Sequence, residues 1–338
     1  MAPDPLIDKF NRPLHDLRVS VIDRCNFRYT YCMPEKETKE YHFLDKKEWM
    51  SFEEIERLVR LFVALGVKKV RLTGGEPLLR PELPALVRRL STIGAIDDLA
   101  LTTNGALLAD YAKDLKKAGL KRLTISLDTL DARLFQTMSG RGSLPVVLEG
   151  IKTAEAEGFA RMKINVVVQK GVNESSIMPL VERFRYTGHV LRFIEYMDVG
   201  TCNHWESKFV VPSKQIIEVI NKKYPIEPAD ANYFGEVAER YRYKDGGGEI
   251  GFVSSVSQPF CKTCTRARLS ADGKLITCLF AATGTDLLTP LRQGARDQEL
   301  RDLITAVWKK REDRYSELRS EFQASNPTPK VEMFQIGG

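Results

Sequence analysis

Between residues 17 and 196 the chain repeats one pattern six times: a short apolar, β-branched run, then a segment of helical period. The strand-like runs are 17–22, 69–73, 99–103, 122–127, 162–168 and 190–196. Several are almost continuously apolar, as strands covered on both faces tend to be. The segments between them end on glycines suited to a left-handed C-cap: 51–66, 80–94, 110–119, 143–158 and 174–188. Ser51 followed by Glu54 is a capping box that opens the first. Serial β-then-α units require right-handed crossovers and a parallel sheet, so the candidates are an incomplete barrel or an open doubly wound sheet. Either fold puts chemistry at the carboxyl ends of its strands.

After residue 225 the rhythm changes. Residues 226–258 are rich in aromatics and glycine and read as hairpins, and a helical stretch is expected around 297–324. The expected division is a barrel domain over 1–225 and a dependent C-terminal domain over 226–338. Gly246, Gly248 and Gly251 match a dinucleotide fingerprint in spacing, but they precede a strand-like run instead of opening a helix, so a hairpin turn is expected. GGEPLLR at 74–80 lacks the second glycine and the lysine of a P-loop.

No run of 18 apolar residues occurs, and the first residues mix charges and prolines, so no membrane span or signal peptide is expected and the chain is placed in the cytoplasm. In a reducing compartment, close-set cysteines point to metal or redox chemistry. Cys261 and Cys264 form a C-x-x-C, with Cys278 fourteen residues on. None of the four histidines (His15, His42, His189, His204) lies near them in sequence. Three thiols without a local fourth ligand suit an iron–sulfur cluster with an exposed iron, or a zinc with an open position. Arg266 and Arg268 alternate beside them, so both should face one way and offer two forks to phosphate. The net charge of +6 fits an anionic partner without naming one.

The decisive segment is 20–34, SVIDRCNFRYTYCMP, just past the first strand. It resembles the C-x-x-x-C-x-x-C loop of radical S-adenosylmethionine enzymes, with Cys25 and Cys32 as the outer cysteines and Tyr29 at the middle position. With GGEP at 74–77, CTRARLS at 264–270 and the terminal Gly337-Gly338, the whole chain resembles the GTP 3′,8-cyclase (MoaA) family of molybdenum cofactor biosynthesis.

That resemblance implies an α/β fold, an incomplete (β/α)6 TIM-like barrel with a C-terminal hairpin- and cluster-bearing domain. It implies two 4Fe–4S clusters, one on Cys25 and Cys32 with Tyr29 at the missing-ligand position, the other on Cys261, Cys264 and Cys278. S-adenosylmethionine would be held by Tyr31, Gly75, Ser126 and Met197, and GTP by Arg18, Arg71, Thr102, Lys163, Arg266 and Arg268. The implied reaction turns GTP into (8S)-3′,8-cyclo-7,8-dihydroguanosine 5′-triphosphate. The implied partners are an electron donor such as flavodoxin or ferredoxin, a downstream cyclic pyranopterin monophosphate synthase and a second copy of the chain, with no membrane and no nucleic acid.

The residues add two expectations of their own. Gly74-Gly75 permits close backbone approach to a ligand. Arg18, Arg71 and Lys163 sit on strands among apolar neighbours, where a cation needs an anionic ligand or internal pairing with Glu76, Asp128 or Glu195. Tyr29 is the departure: a phenol, with a pKa near about 10, is a poor substitute for a thiolate and longer by a ring. Cys202 follows the sixth strand and falls at the same rim, outside both motifs. A variant impaired at the first cluster that still binds GTP is therefore the alternative, and a zinc-bearing nucleic-acid-binding protein a remote one.

Overall fold

The computed structural model describes residues 5–35, 41–324 and 330–337. Its first half alternates strand and helix: β1 (Asp16–Ser20), α1 (Phe52–Ala64), β2 (Lys69–Thr73), α2 (Leu83–Ser91), β3 (Asp98–Thr103), α3 (Leu108–Lys117), β4 (Arg122–Ser126), α4 (Ala132–Ser139), α5 (Leu144–Ala156), β5 (Lys163–Val168), α6 (Ile177–Phe184) and β6 (Val190–Glu195). The expected left-handed glycine follows α1, α3 and α5 (Gly66, Gly119, Gly158), whereas Gly94 has no positive φ and α6 stops four residues before Gly188. The capping box at α1 is formed: Glu54 N donates to Ser51 Oγ at 3.2 Å, and Ser51 N to the Glu54 carboxylate at 2.7 Å. Ile55, Leu58, Val59 and Phe62 make its buried stripe. The sequence pattern did not separate α4 from the β4–α5 connection. Asp131 caps it, accepting from Leu134 N at 2.8 Å.

The remaining elements are α7 (Ser213–Lys223), β7 (Ile226–Ala229), β8 (Glu239–Tyr243), β9 (Glu249–Val253), β10 (Arg266–Leu269), β11 (Lys274–Ile276), β12 (Thr285–Asp286), α8 (Leu288–Arg292), α9 (Asp297–Lys309), α10 (Arg319–Ala324) and α11 (Met333–Ile336). The expected hairpins are present, and Gly246 and Gly248 lie in the β8–β9 turn. The single helical stretch expected over 297–324 is broken after Lys309, where Arg311 turns inward to a buried ion pair with Asp8.

All strands form one sheet in the order β12-β11-β10-β1-β2-β3-β4-β5-β6-β9-β8-β7. β1 to β6 are parallel, as the partial barrel requires. The later segment does not fold apart from them: β9 pairs parallel to β6, and β10 parallel to β1, so both edges of the barrel are extended. Among the described residues no helix is long and apolar enough to cross a membrane.

Candidate functional site

Strand period decides what faces the barrel interior. Leu17, Val19, Val70 and Leu72 are buried in the hydrophobic core. The alternate positions carry charge, and register sets Arg268, Arg18 and Arg71 abreast on β10, β1 and β2. Neighbouring strands stand about 4.8 Å apart, so three guanidiniums leave adjacent points of one wall. Lys163 on β5 and Arg192 on β6 join them, and one continuous cavity is lined by all five.

Burial and mutual repulsion disfavour their charged forms. Burial, then Arg268, Arg71 and Arg266, hold the Arg18 guanidinium well below its usual range. Burial and Arg266 lower Arg268 to about 9, and burial with Arg71 and Arg122 lowers Arg192 to about 9. Lys163 falls to about 6, through burial, Arg192, Arg122 and Arg71. The internal pairing considered from sequence does not occur. Glu76 accepts from Leu78 N, Thr103 Oγ1 and Asn104 N. Asp128 accepts from Tyr31 and Val167 N, and Glu195 from Ser213 N, Val256 N and Ser257. Among the described residues Arg18, Arg71 and Lys163 form no ion pair. Thr102 also faces the cavity with its hydroxyl buried and unpartnered.

The two cysteine sets lie at opposite ends of the barrel. Cys25 and Cys32 follow the carboxyl end of β1, whereas Cys264 precedes the amino end of β10, which runs parallel beside it. Cys278 follows β11, antiparallel to β10, and so returns to the same end as Cys264. The strand-end expectation therefore covers half the site: the cations sit within the strands, and the second cysteine set beyond their amino ends.

Donor chemistry separates the sets. Arg266 and Arg311 each donate to Cys264 Sγ at 3.2 Å. Burial alone would raise that thiol, but these two arginines bring it down to about 6. Among the described residues no group of three or more Cys, His, Asp or Glu converges on a position for one metal ion. A 4Fe–4S cluster takes its ligands on separate irons and needs no such convergence, and Cys261, Cys264 and Cys278, with Cys264 already drawn towards the thiolate, are the donor type that it takes.

At the other end, burial and Glu76 push Cys25 to about 11, and burial and Cys25 raise Cys32. Between them Tyr29 is buried, with a hydroxyl that has no hydrogen-bond partner. Two thiols and this phenol do not fit a cluster held by three thiolates. Cys202 does not line the cavity; its thiol donates to Glu332 at 3.1 Å and lies 3.5 Å from the Cys32 carbonyl.

Tyr31, Gly75, Ser126 and Met197 all border the cavity near the first cysteine loop. That loop's own backbone packs against Gly75: a Cβ there would stand 2.2 Å from Arg24 O. Gly75 N donates to Ile22 O and Glu76 N to Arg24 O, both at 2.8 Å, which fastens the loop over the barrel mouth. Gly337 reaches the site too: Arg268 donates to its carbonyl. Gly338 lies outside the described residues. Lys69, Arg122 and Arg192 also line the cavity and were missed. Their signal was available, since each is a cation on a predicted strand like Arg71.

Residues 19–184 match the model of the Radical SAM superfamily, and 189–317 that of Molybdenum Cofactor Synthesis C. A GTP 3′,8-cyclase of Xanthomonas campestris pv. campestris is 55% identical over 100% of both chains. One of Acidothermus cellulolyticus is 49% identical over 94% of this chain and 89% of its own. One of Staphylococcus aureus is 45% identical over 98% of each. Among solved structures, Streptococcus suis SuiB bound to S-adenosylmethionine is similar in fold at TM-score 0.61 and 17% identity, over 92% of this chain and 69% of that one.

Proposed function

The chain belongs to the GTP 3′,8-cyclase family of radical S-adenosylmethionine enzymes, and we propose that its barrel binds GTP and positions it for a bond between ribose C3′ and guanine C8. The observation that carries this reading is the Arg268–Arg18–Arg71 row, three guanidiniums abreast on the cavity wall, with Lys163 and Arg192 in the same cavity. A triphosphate supplies the charge that such a wall lacks, and planar forks suit its oxygens. Arg266 and the unpartnered Thr102 hydroxyl are further contacts for the nucleotide. Tyr31, Gly75, Ser126 and Met197 border the space for S-adenosylmethionine.

The family's cofactors are a 4Fe–4S cluster and S-adenosylmethionine. We read Cys261, Cys264 and Cys278 as ligands of a second cluster, which would offer the guanine an open iron. The chain's own part is to anchor the phosphates, fix the ribose and base, and exclude water beneath the 20–34 loop and the tail. An electron donor such as flavodoxin or ferredoxin, a downstream cyclic pyranopterin monophosphate synthase and a homodimer belong to the same reading.

Tyr29 favours a second reading, a chain that binds GTP but starts the reaction poorly. One experiment separates the two. GTP binding is measured by calorimetry for the wild-type chain and Arg18→Met, and 5′-deoxyadenosine and cyclised nucleotide by mass spectrometry. Binding lost in Arg18→Met together with both products in the wild type supports the cyclase. Binding without either product supports the second reading. Unchanged binding in Arg18→Met removes the basis of both.

A further inference from the structure

Arg311, just past α9, is buried against the second cysteine set, and the protein occupies all three of its nitrogens. Nη2 donates to Cys264 Sγ at 3.2 Å, while Nη1 donates to Cys264 O at 2.8 Å and to Asp8 at 3.0 Å. Nε lies 3.2 Å from both Thr277 O and the Asp313 carboxylate. Thr277 directly precedes Cys278, so one guanidinium ties together the segments that carry two of the three cysteines. The third is reached by Arg12, which donates to Cys261 O at 2.8 Å and shares Asp8 with Arg311.

Charge makes the arrangement informative. Arg12, Arg311 and Asp8 are each at most 1% exposed at the side chain, so two cations share one fully buried carboxylate. Buried charges are tolerated when they are compensated; the Asp313 carboxylate, 29% exposed, meets Arg311 at Nε, and the Cys264 sulfur is the acceptor at Nη2 that can be anionic. Arg266 also touches that sulfur, and both arginines line the cavity, but Arg266 is only partly buried and a nucleotide would compete for its fork, whereas the Arg311 side chain is 1% exposed. Arg311, with its donors spent, is the constant partner.

We infer that Arg311 is a positioning residue of the second cluster: it fixes the Cys264 sulfur and, through its N–H···S bond, draws charge from it and raises the cluster's reduction potential. Hydrogen bonds to cluster sulfurs are one of the levers that set such potentials. The inference rests on reading Cys261, Cys264 and Cys278 as cluster ligands.

The test uses the full chain carrying Cys25→Ala and Cys32→Ala, so that bound iron reports the C-terminal set alone. Iron and sulfide, the spectrum of the reduced cluster and its midpoint potential are compared with Arg311→Lys, Arg311→Met and Cys264→Ser added. The parent should hold about four irons, and Cys264→Ser should lose them. Arg311→Lys keeps the charge but not the fork, and should retain iron with a more negative midpoint and an altered signal. Arg311→Met should move further the same way or lose iron. Full iron with unmoved midpoint and signal in both Arg311 variants overturns the inference alone. A parent without iron overturns the cluster reading, and the inference with it. If Arg311→Met does not fold, Arg311→Lys decides.

Discussion

The ring of Tyr29 lies stacked on that of Tyr31, with centroids 5.0 Å apart and planes inclined by 21°. Phe27 meets Tyr29 edge-on at 5.8 Å, so the phenol is fixed on two sides. Tyr31 donates to Asp128 at 2.8 Å, but the Tyr29 hydroxyl has no partner. An unmade buried hydrogen bond costs about 1–3 kcal/mol. The ring thus takes space beside Cys25 and Cys32 without satisfying its own polar end.

Tyr29→Cys removes the ring and the orphaned hydroxyl and restores a third thiol. Bound iron and sulfide should each rise by about four per chain after anaerobic reconstitution. Release of 5′-deoxyadenosine should rise with them. Tyr29→Ala opens the same space without a ligand and should gain neither. Equal iron and equal release in the wild-type and Tyr29→Cys chains would show that the phenol is no obstacle.

Lys163 predicts a proton linkage. With its pKa lowered to about 6, it is neutral in the ligand-free protein at pH 8. A triphosphate among Lys163, Arg192 and Arg71 restores the charged form, so binding at that pH takes up a proton. Calorimetry in buffers of different ionisation heat should detect this uptake, and Lys163→Met should reduce it by about one proton. The same shift affects stability. An unfolded lysine titrates near about 10.4, so between that pH and about 6 the unfolded chain holds the extra proton and stability rises with pH. Identical proton uptake in the two chains would remove Lys163 from the anion site.

What local sequence could reveal ends where pairing becomes distant. Strands β1 to β6 were legible because each carries its own apolar run, and α1, α3 and α5 are each followed by a left-handed glycine, Gly66, Gly119 and Gly158. The parallel pairing of β10 with β1 was not, because it joins Arg266 to Asp16 across the length of the chain, and no local period records it. The cysteines and the Arg266–Arg268 pair were visible as motifs. Arg311 was not: in KKRED it looks like one more solvated charge, and only its partners Asp8 and Cys264 reveal a buried one.

Gly337 is a contact that tolerates no side chain. Its φ of 68° is left-handed, and a Cβ would stand 2.2 Å from Thr73 Cγ2. Gly337→Ala should therefore lift the tail and deprive Arg268 of its carbonyl acceptor. Carboxypeptidase should trim the tail faster while the melting temperature stays nearly constant. GTP turnover should fall by about tenfold, equivalent to about 1.4 kcal/mol. A normal trimming rate would mean that the tail tolerates a Cβ at this point.

Asp198, just beyond β6, gathers the chain's last segments. Arg319 donates to it at 2.9 Å, Lys330 at 2.9 Å, and Tyr315 through its hydroxyl. Burial pushes its pKa up, but Tyr315, Arg319 and Lys330 outweigh burial and leave the carboxyl below its usual range. A depressed carboxyl stabilises the fold above its unfolded pKa of about 3.9, and that contribution is lost as pH falls through the folded value. Asp198→Asn leaves buried cations unmatched and should cost about 3 kcal/mol at neutral pH. The variant should also lose less on acidification, because it has no carboxylate to protonate. Melting curves from pH 7 down to pH 3 should therefore converge for the two chains. Parallel curves would mean that Asp198 contributes through packing and not through charge.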